Sequence, residues 1–188
     1  MANVDHPHGL VPVMSRFKDT PRMTQYKAFM NTTTPVAIFR GDVVQLLGTG
    51  DVKSITATGA NADLLGVAAN YVPALAANDQ KDFWVYDDMD TIYEIQSDGT
   101  TDPASVAAAQ AHIGQTAIVA TPDATNTLGN TSSGQSGWEL DYGNLGTDTT
   151  AMLKVVGLYD LVGNDVTLAH ARYLVVLQSH IMEKRYAV

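Results

Sequence analysis

The 188-residue chain has no cysteine. That excludes disulfides, thiolate metal sites and a cysteine nucleophile, and leaves the redox compartment open. Charge is sparse: 16% of residues are Asp, Glu, Lys or Arg against 45% hydrophobic, too apolar for a disordered chain and ordinary for a globular one. No apolar run approaches the roughly 18 residues a membrane helix needs. The opening Met1-Ala2-Asn3-Val4-Asp5-His6-Pro7 lacks the basic-then-apolar layout of a secretory signal, so no membrane partner is expected. The length favours one domain with a core of its own, needing no staple.

The charge that is present sums to −9, which disfavours nucleic acid as a partner, because phosphate binding needs clustered Lys and Arg. Its placement is uneven. Residues 1–40 carry Arg16, Lys18, Arg22, Lys27 and Arg40 against Asp5 and Asp19, and residues 172–188 carry Arg172, Lys184 and Arg185 against Glu183. Between them, Lys53, Lys81 and Lys154 face seventeen acids. Basic ends on an acidic body point to contacts outside the chain's own fold, and the plain alternative is a solvated tail. The apolar content of the first segment (Leu10, Val11, Val13, Met14, Phe17, Met23, Tyr26, Phe29 and Met30) argues for anchoring. Pro7, Pro12 and Pro21 interrupt any helix there, so residues 1–34 read as an extended arm lying on a surface, and 35–188 as a β-rich domain with a short C-terminal tail.

From Pro35 onward, short apolar runs closed by Gly and Asp predict strands at Val36–Phe39, Val43–Leu47, Val52–Thr58, Leu64–Val72, Phe83–Tyr86, Ile92–Ile95, Thr116–Ala120, Leu153–Leu158 and Tyr173–Leu177. Asp87-Asp88-Met89-Asp90 suits a turn within a hairpin or a bulged strand. The near-continuous apolar run at Tyr173–Leu177 predicts a central strand covered on both faces. Leu64-Leu65-Gly66-Val67 and Val155-Val156-Gly157-Leu158 each place Gly where a bulge or close backbone approach is expected. One helix is predicted over Ala104–Ala111, with Asp102 as N-cap, Pro103 at its first position and Gly114 beyond its end. Residues 121–150 form a polar loop with an island at Trp138 and Leu140, long enough to be functional or mobile. The fold class is all-β with one short helix, a barrel or sandwich.

Chemistry is scarce. Gly134-Gln135-Ser136-Gly137 has the wrong spacing for a nucleophile elbow, and no phosphate-cradling Gly-x-Gly-x-x-Gly or Gly-Lys-Ser occurs. His6 and His8 share one side of an extended segment, but two ligands do not make a metal site, and His112, His170 and His180 show no ligand spacing. Asp87, Asp88 and Asp90 lack the Gly and distal Glu of a calcium loop. No cofactor, metal or catalytic residue is assigned. Glu94 and Glu139 are the one carboxylate pair that a glycosidase reading could use.

Several strings, taken in order, resemble a family of tailed-bacteriophage head proteins, the capsid cement or decoration proteins. They are Met1-Ala2-Asn3-Val4-Asp5, His8-Gly9-Leu10-Val11-Pro12-Val13, Gly41-Asp42-Val43-Val44, Leu65-Gly66-Val67, Thr91-Ile92-Tyr93-Glu94-Ile95-Gln96, Gly134-Gln135-Ser136-Gly137-Trp138-Glu139-Leu140-Asp141, Val156-Gly157-Leu158 and Tyr173-Leu174-Val175-Val176-Leu177-Gln178-Ser179-His180. The resemblance implies a non-enzymatic virion protein, a homotrimer on the outer surface of the mature icosahedral capsid that clamps neighbouring major capsid proteins. It also implies a β-tulip, barrel or jelly-roll-like core with a terminus reaching the shell. The basic tail Glu183-Lys184-Arg185-Tyr186-Ala187-Val188 and the Thr-rich loop depart from that pattern.

On this reading the capsid-binding residues are Arg16, Phe17, Lys18, Arg22, Tyr26, Lys27 and Phe29 of the arm with Lys184 and Arg185 of the tail, and removing residues 1–30 is expected to leave a folded domain. The alternative is a carbohydrate-binding β module on a virion surface, resting on Trp84, Trp138, Tyr142 and the Asp/Asn-rich loops.

Overall fold

The computed structural model describes residues 3–17, 20–29, 36–48, 50–55, 64–74, 79–99, 103–120, 128–148 and 151–182; within these ranges Phe29 and Gln80 are described by backbone alone. Lys18, Asp102, Lys184 and Arg185, with the tail from Glu183 and the junction at residues 34 and 35, lie outside the described residues.

The elements run β1 Val11–Ser15, β2 Thr24–Phe29, β3 Val43–Leu46, β4 Val52–Ser54, β5 Leu64–Ala68, β6 Gln80–Tyr86, β7 Thr91–Gln96, α1 Val106–Gln110, β8 Thr116–Ala117, β9 Val119–Ala120, β10 Gly129–Asn130, β11 Gln135–Ser136, β12 Glu139–Leu140, β13 Leu153–Leu158 and β14 Arg172–Leu177. Five strands close a barrel in the order β2-β4-β3-β5-β6. Five others form an open antiparallel sheet, β1-β7-β14-β13-β8, and β10-β11 and β12-β9 are two-stranded pairs. The protein is mainly β with a single short α-helix among the described residues.

Two apolar cores follow from strands that are buried on both sides. In β3, Val43 packs into the core under the open sheet while Val44 packs into the barrel interior. β5 does the same, with Leu64 and Val67 on the sheet side and Leu65 and Ala68 on the barrel side. The register slips between Val44 and Gln45, opposite Gly66 and Leu64, which lets four buried side chains sort two to each side. Gly66 is required there, because a Cβ would stand 2.1 Å from the Tyr86 carbonyl oxygen. Gly157 lies at a second register shift, opposite Leu174. Both glycines expected to mark bulges therefore do so.

β14 is the central strand of its sheet, as its apolar run predicts, but the covering is unequal: Tyr173, Val175 and Leu177 are buried, while Arg172, Leu174 and Val176 are half-buried. The acidic turn joins neither a hairpin nor a bulged strand. β6 ends in the barrel and β7 begins in the sheet, so Asp87–Asp90 bridges the two layers. The helix is shorter than predicted and is capped by Ser105, whose hydroxyl accepts from the Ala108 N–H at 3.2 Å. Val36–Phe39 contributes only the isolated bridge Ile38 to Val72 instead of a strand, and Leu64–Val72 is shortened to β5.

The larger departure is the N-terminal segment. Its extended backbone is as expected, but it is woven into both layers: β1 is an edge strand of the open sheet against β7, and β2 is a barrel strand between β4 and β6. Leu10 is buried in the sheet-side core.

Candidate functional site

The residues expected to bind a partner fall into two groups. Residues 16–23 link β1 to β2, and both ends are tied to the acidic turn. The Arg16 N–H donates to the Asp90 carbonyl at 2.8 Å, and the Thr24 hydroxyl donates to the Asp87 carboxylate at 3.0 Å. On this link Arg16, Phe17, Arg22 and Met23 are exposed, Phe17 by 74%, with Met14 of the edge strand beside them in sequence. Arg16 reaches Asp90 only at 4.0 Å.

Tyr26 and Lys27 are instead engaged within the fold. The Tyr26 hydroxyl donates to Asp87 at 2.8 Å, and burial, followed by that bond, pushes the phenol up to about 12. Lys27 pairs with Asp82 across the β2–β6 ladder on the outer barrel wall, where Trp84 is also exposed. The backbone of Phe29 pairs with Gln80.

The second cluster was not expected. Alternation along β7 puts Tyr93 and Ile95 into the core, and Glu94 and Gln96 onto the opposite face beside Arg172. Residues 3–10 run across this face. The Asn3 amide donates to the Asp165 and Ala169 carbonyls, the His6 N–H to the Gln96 side chain at 3.2 Å, the Gly9 N–H to the Trp138 carbonyl and the Leu10 N–H to the Gly41 carbonyl.

Beneath this segment the polar groups form two linked sets. In the first, buried Glu94 is paired with Arg172 at 3.0 Å and His8 at 3.3 Å. The other ring nitrogen of His8 stands 2.8 Å from the His6 carbonyl. In the second, the Gln96 amide reaches Asp5 and Glu139, and both carboxylates face the His170 ring. Residues 5, 96, 139 and 170 share no motif, and only the fold brings them together.

The remaining candidates are mostly buried. Ser136 is buried, and its hydroxyl accepts from the Trp138 N–H. Trp138 is 2% exposed and Tyr142 is buried with its hydroxyl 2.7 Å from His112, so of the three aromatics offered as a sugar platform only Trp84 faces solvent. Glu94 and Glu139, the glycosidase pair, are both buried in the polar sets just described. An open groove of about 930 Å³ lies between residues 5–7, residues 36–39 and the β10–β11 hairpin.

No family model matches this chain, and no curated protein or solved structure matches it either.

Proposed function

We propose that the protein is a structural, non-enzymatic virion component. On this reading it decorates and stabilises the mature capsid of a tailed bacteriophage as a homotrimer, clamping neighbouring major capsid proteins on the outer surface. The closed barrel with an open sheet packed on it serves as the β-tulip-like or jelly-roll-like core of that module.

The observation that carries the reading is the exposed link between β1 and β2. Phe17 and Met23 stand out in solvent beside Arg16 and Arg22 on a chain whose middle is strongly acidic. An exposed large apolar side chain next to an arginine in sequence, twice on one short link, is the composition of an interface anchor rather than of a solvated turn. The link leaves from an edge strand, whose free side can add a neighbour's strand. The ordered resemblance to capsid decoration proteins supplies the partner class. Repetition over a symmetric shell multiplies weak contacts through effective concentration, so a small anchor suffices.

Co-sedimentation with expanded, undecorated capsids tests the reading. Saturation near one copy per capsid subunit is expected, and absence of binding at high protein concentration rejects it.

A further inference from the structure

We propose that Asp5, Glu139 and His170 form a divalent-cation site of the zinc class that clasps the N-terminal segment onto the β12 strand and the loop entering β14. Their ligand atoms all lie within 4.8 Å of one another. The His170 Nδ1 is buried and makes no hydrogen bond. It stands 3.7 Å from Asp5 Oδ1 and 3.8 Å from Glu139 Oε1. Those separations are beyond hydrogen-bond reach, since a contact of about 3.6 Å or more is not a hydrogen bond. They suit ligands of one shared ion: a cation about 2.1 Å from each of two such donors subtends roughly 125°, close to tetrahedral and far from the right angle of an octahedral site. One imidazole nitrogen with two carboxylate oxygens is a zinc-type set, whereas calcium and magnesium call for all-oxygen shells of higher coordination.

The surroundings hold the three ligands in place. The Gln96 amide lies 3.4 Å from Asp5 Oδ1 and 3.3 Å from Glu139 Oε1, so one neutral side chain orients both carboxylates. Gly99 lies directly against the His170 ring, where a Cβ would stand 2.6 Å from Cε1. Asn3 bonds the carbonyls of Asp165 and Ala169, fixing the loop that delivers the histidine. Asp5 also borders the open groove, which gives the ion a route from solvent and leaves room for a water as fourth ligand. Because the ligands come from three distant parts of the chain, binding would tie the N-terminal segment down in a protein with no disulfide to do so.

The test is titration of the full-length, chelator-treated protein with Zn²⁺ alone by calorimetry, with thermal melts alongside. One equivalent per chain and a raised Tm are expected. His170→Asn, chosen because Asn tolerates the positive φ of this position, and Glu139→Gln should each weaken binding at least tenfold. His6→Asn should not. Visible absorption of the Co²⁺-loaded wild-type protein, which needs no variant to fold, should be the intense spectrum of a four-coordinate ion. Failure to bind one equivalent, equal affinity in all the variants, loss of binding in His6→Asn instead, or a weak six-coordinate Co²⁺ spectrum would each overturn the site.

Discussion

Asp42 lies inside the protein, with Oδ2 accepting from the Phe39 N–H at 2.9 Å and the Ser54 hydroxyl at 3.0 Å. Burial outweighs these bonds and raises its carboxyl from 3.8 to about 6. The folded state therefore holds this proton more tightly than the unfolded chain does. Asp42 adds stability below about pH 4 that is lost as pH rises through 6, on the order of 2–3 kcal/mol in all. Asp42→Asn keeps an acceptor for Phe39 and Ser54, and denaturant titrations should show a flatter stability profile between pH 4 and 6 than in wild type. Arg172 is the converse case. Arg172→Met leaves buried Glu94 with His8 as its one ion-pair partner among the described residues and should cost about 2–4 kcal/mol of stability, read from urea unfolding. Gly66→Ala should cost at least about 2 kcal/mol, because the added Cβ meets backbone, which cannot give way, rather than a flexible side chain. Gly66 and Gly157 were legible because glycine inside an apolar run has few other uses. The Glu94 set was not, because His8 and Arg172 are brought to it by pairings that local pattern does not encode.

The strands themselves could be read from their apolar runs, and β14 even gave its central place. What escaped was partnership. β6 and β7 are adjacent in sequence with a turn between them, yet they enter different layers, β6 pairing with β2 and β5 in the barrel and β7 with β1 and β14 in the sheet. The N-terminal segment departs from an independent arm for a similar reason. Its prolines correctly exclude helix, but Pro12 is tolerated in β1, an edge strand with a register shift just after it. β2 contains no proline and sits inside the barrel. Deleting residues 1–30 would therefore open the barrel and uncover the Phe83 and Val85 face. Circular dichroism melts of that truncation should show loss of the cooperative transition, in contrast to the folded domain that an independent arm would leave behind.

For the whole molecule, charge divides between an acidic middle and a basic, apolar link between the layers, which on the proposed reading is the point of attachment. Its anchoring to the Asp87–Asp90 turn at both ends means that force on the link is shared by barrel and sheet. Binding would stabilise the complex by mass action, so a decorated shell should withstand higher temperature than a bare one in a light-scattering melt. The most direct measurement is co-sedimentation of Phe17→Asp combined with Arg16→Glu against expanded, undecorated capsids, beside wild type and a Trp84→Ala control on the outer barrel wall. Both Phe17 and Arg16 are exposed, so folding should be unchanged. The account predicts at least tenfold weaker capsid binding for the double variant and wild-type binding for the control; undiminished decoration by the double variant would contradict it.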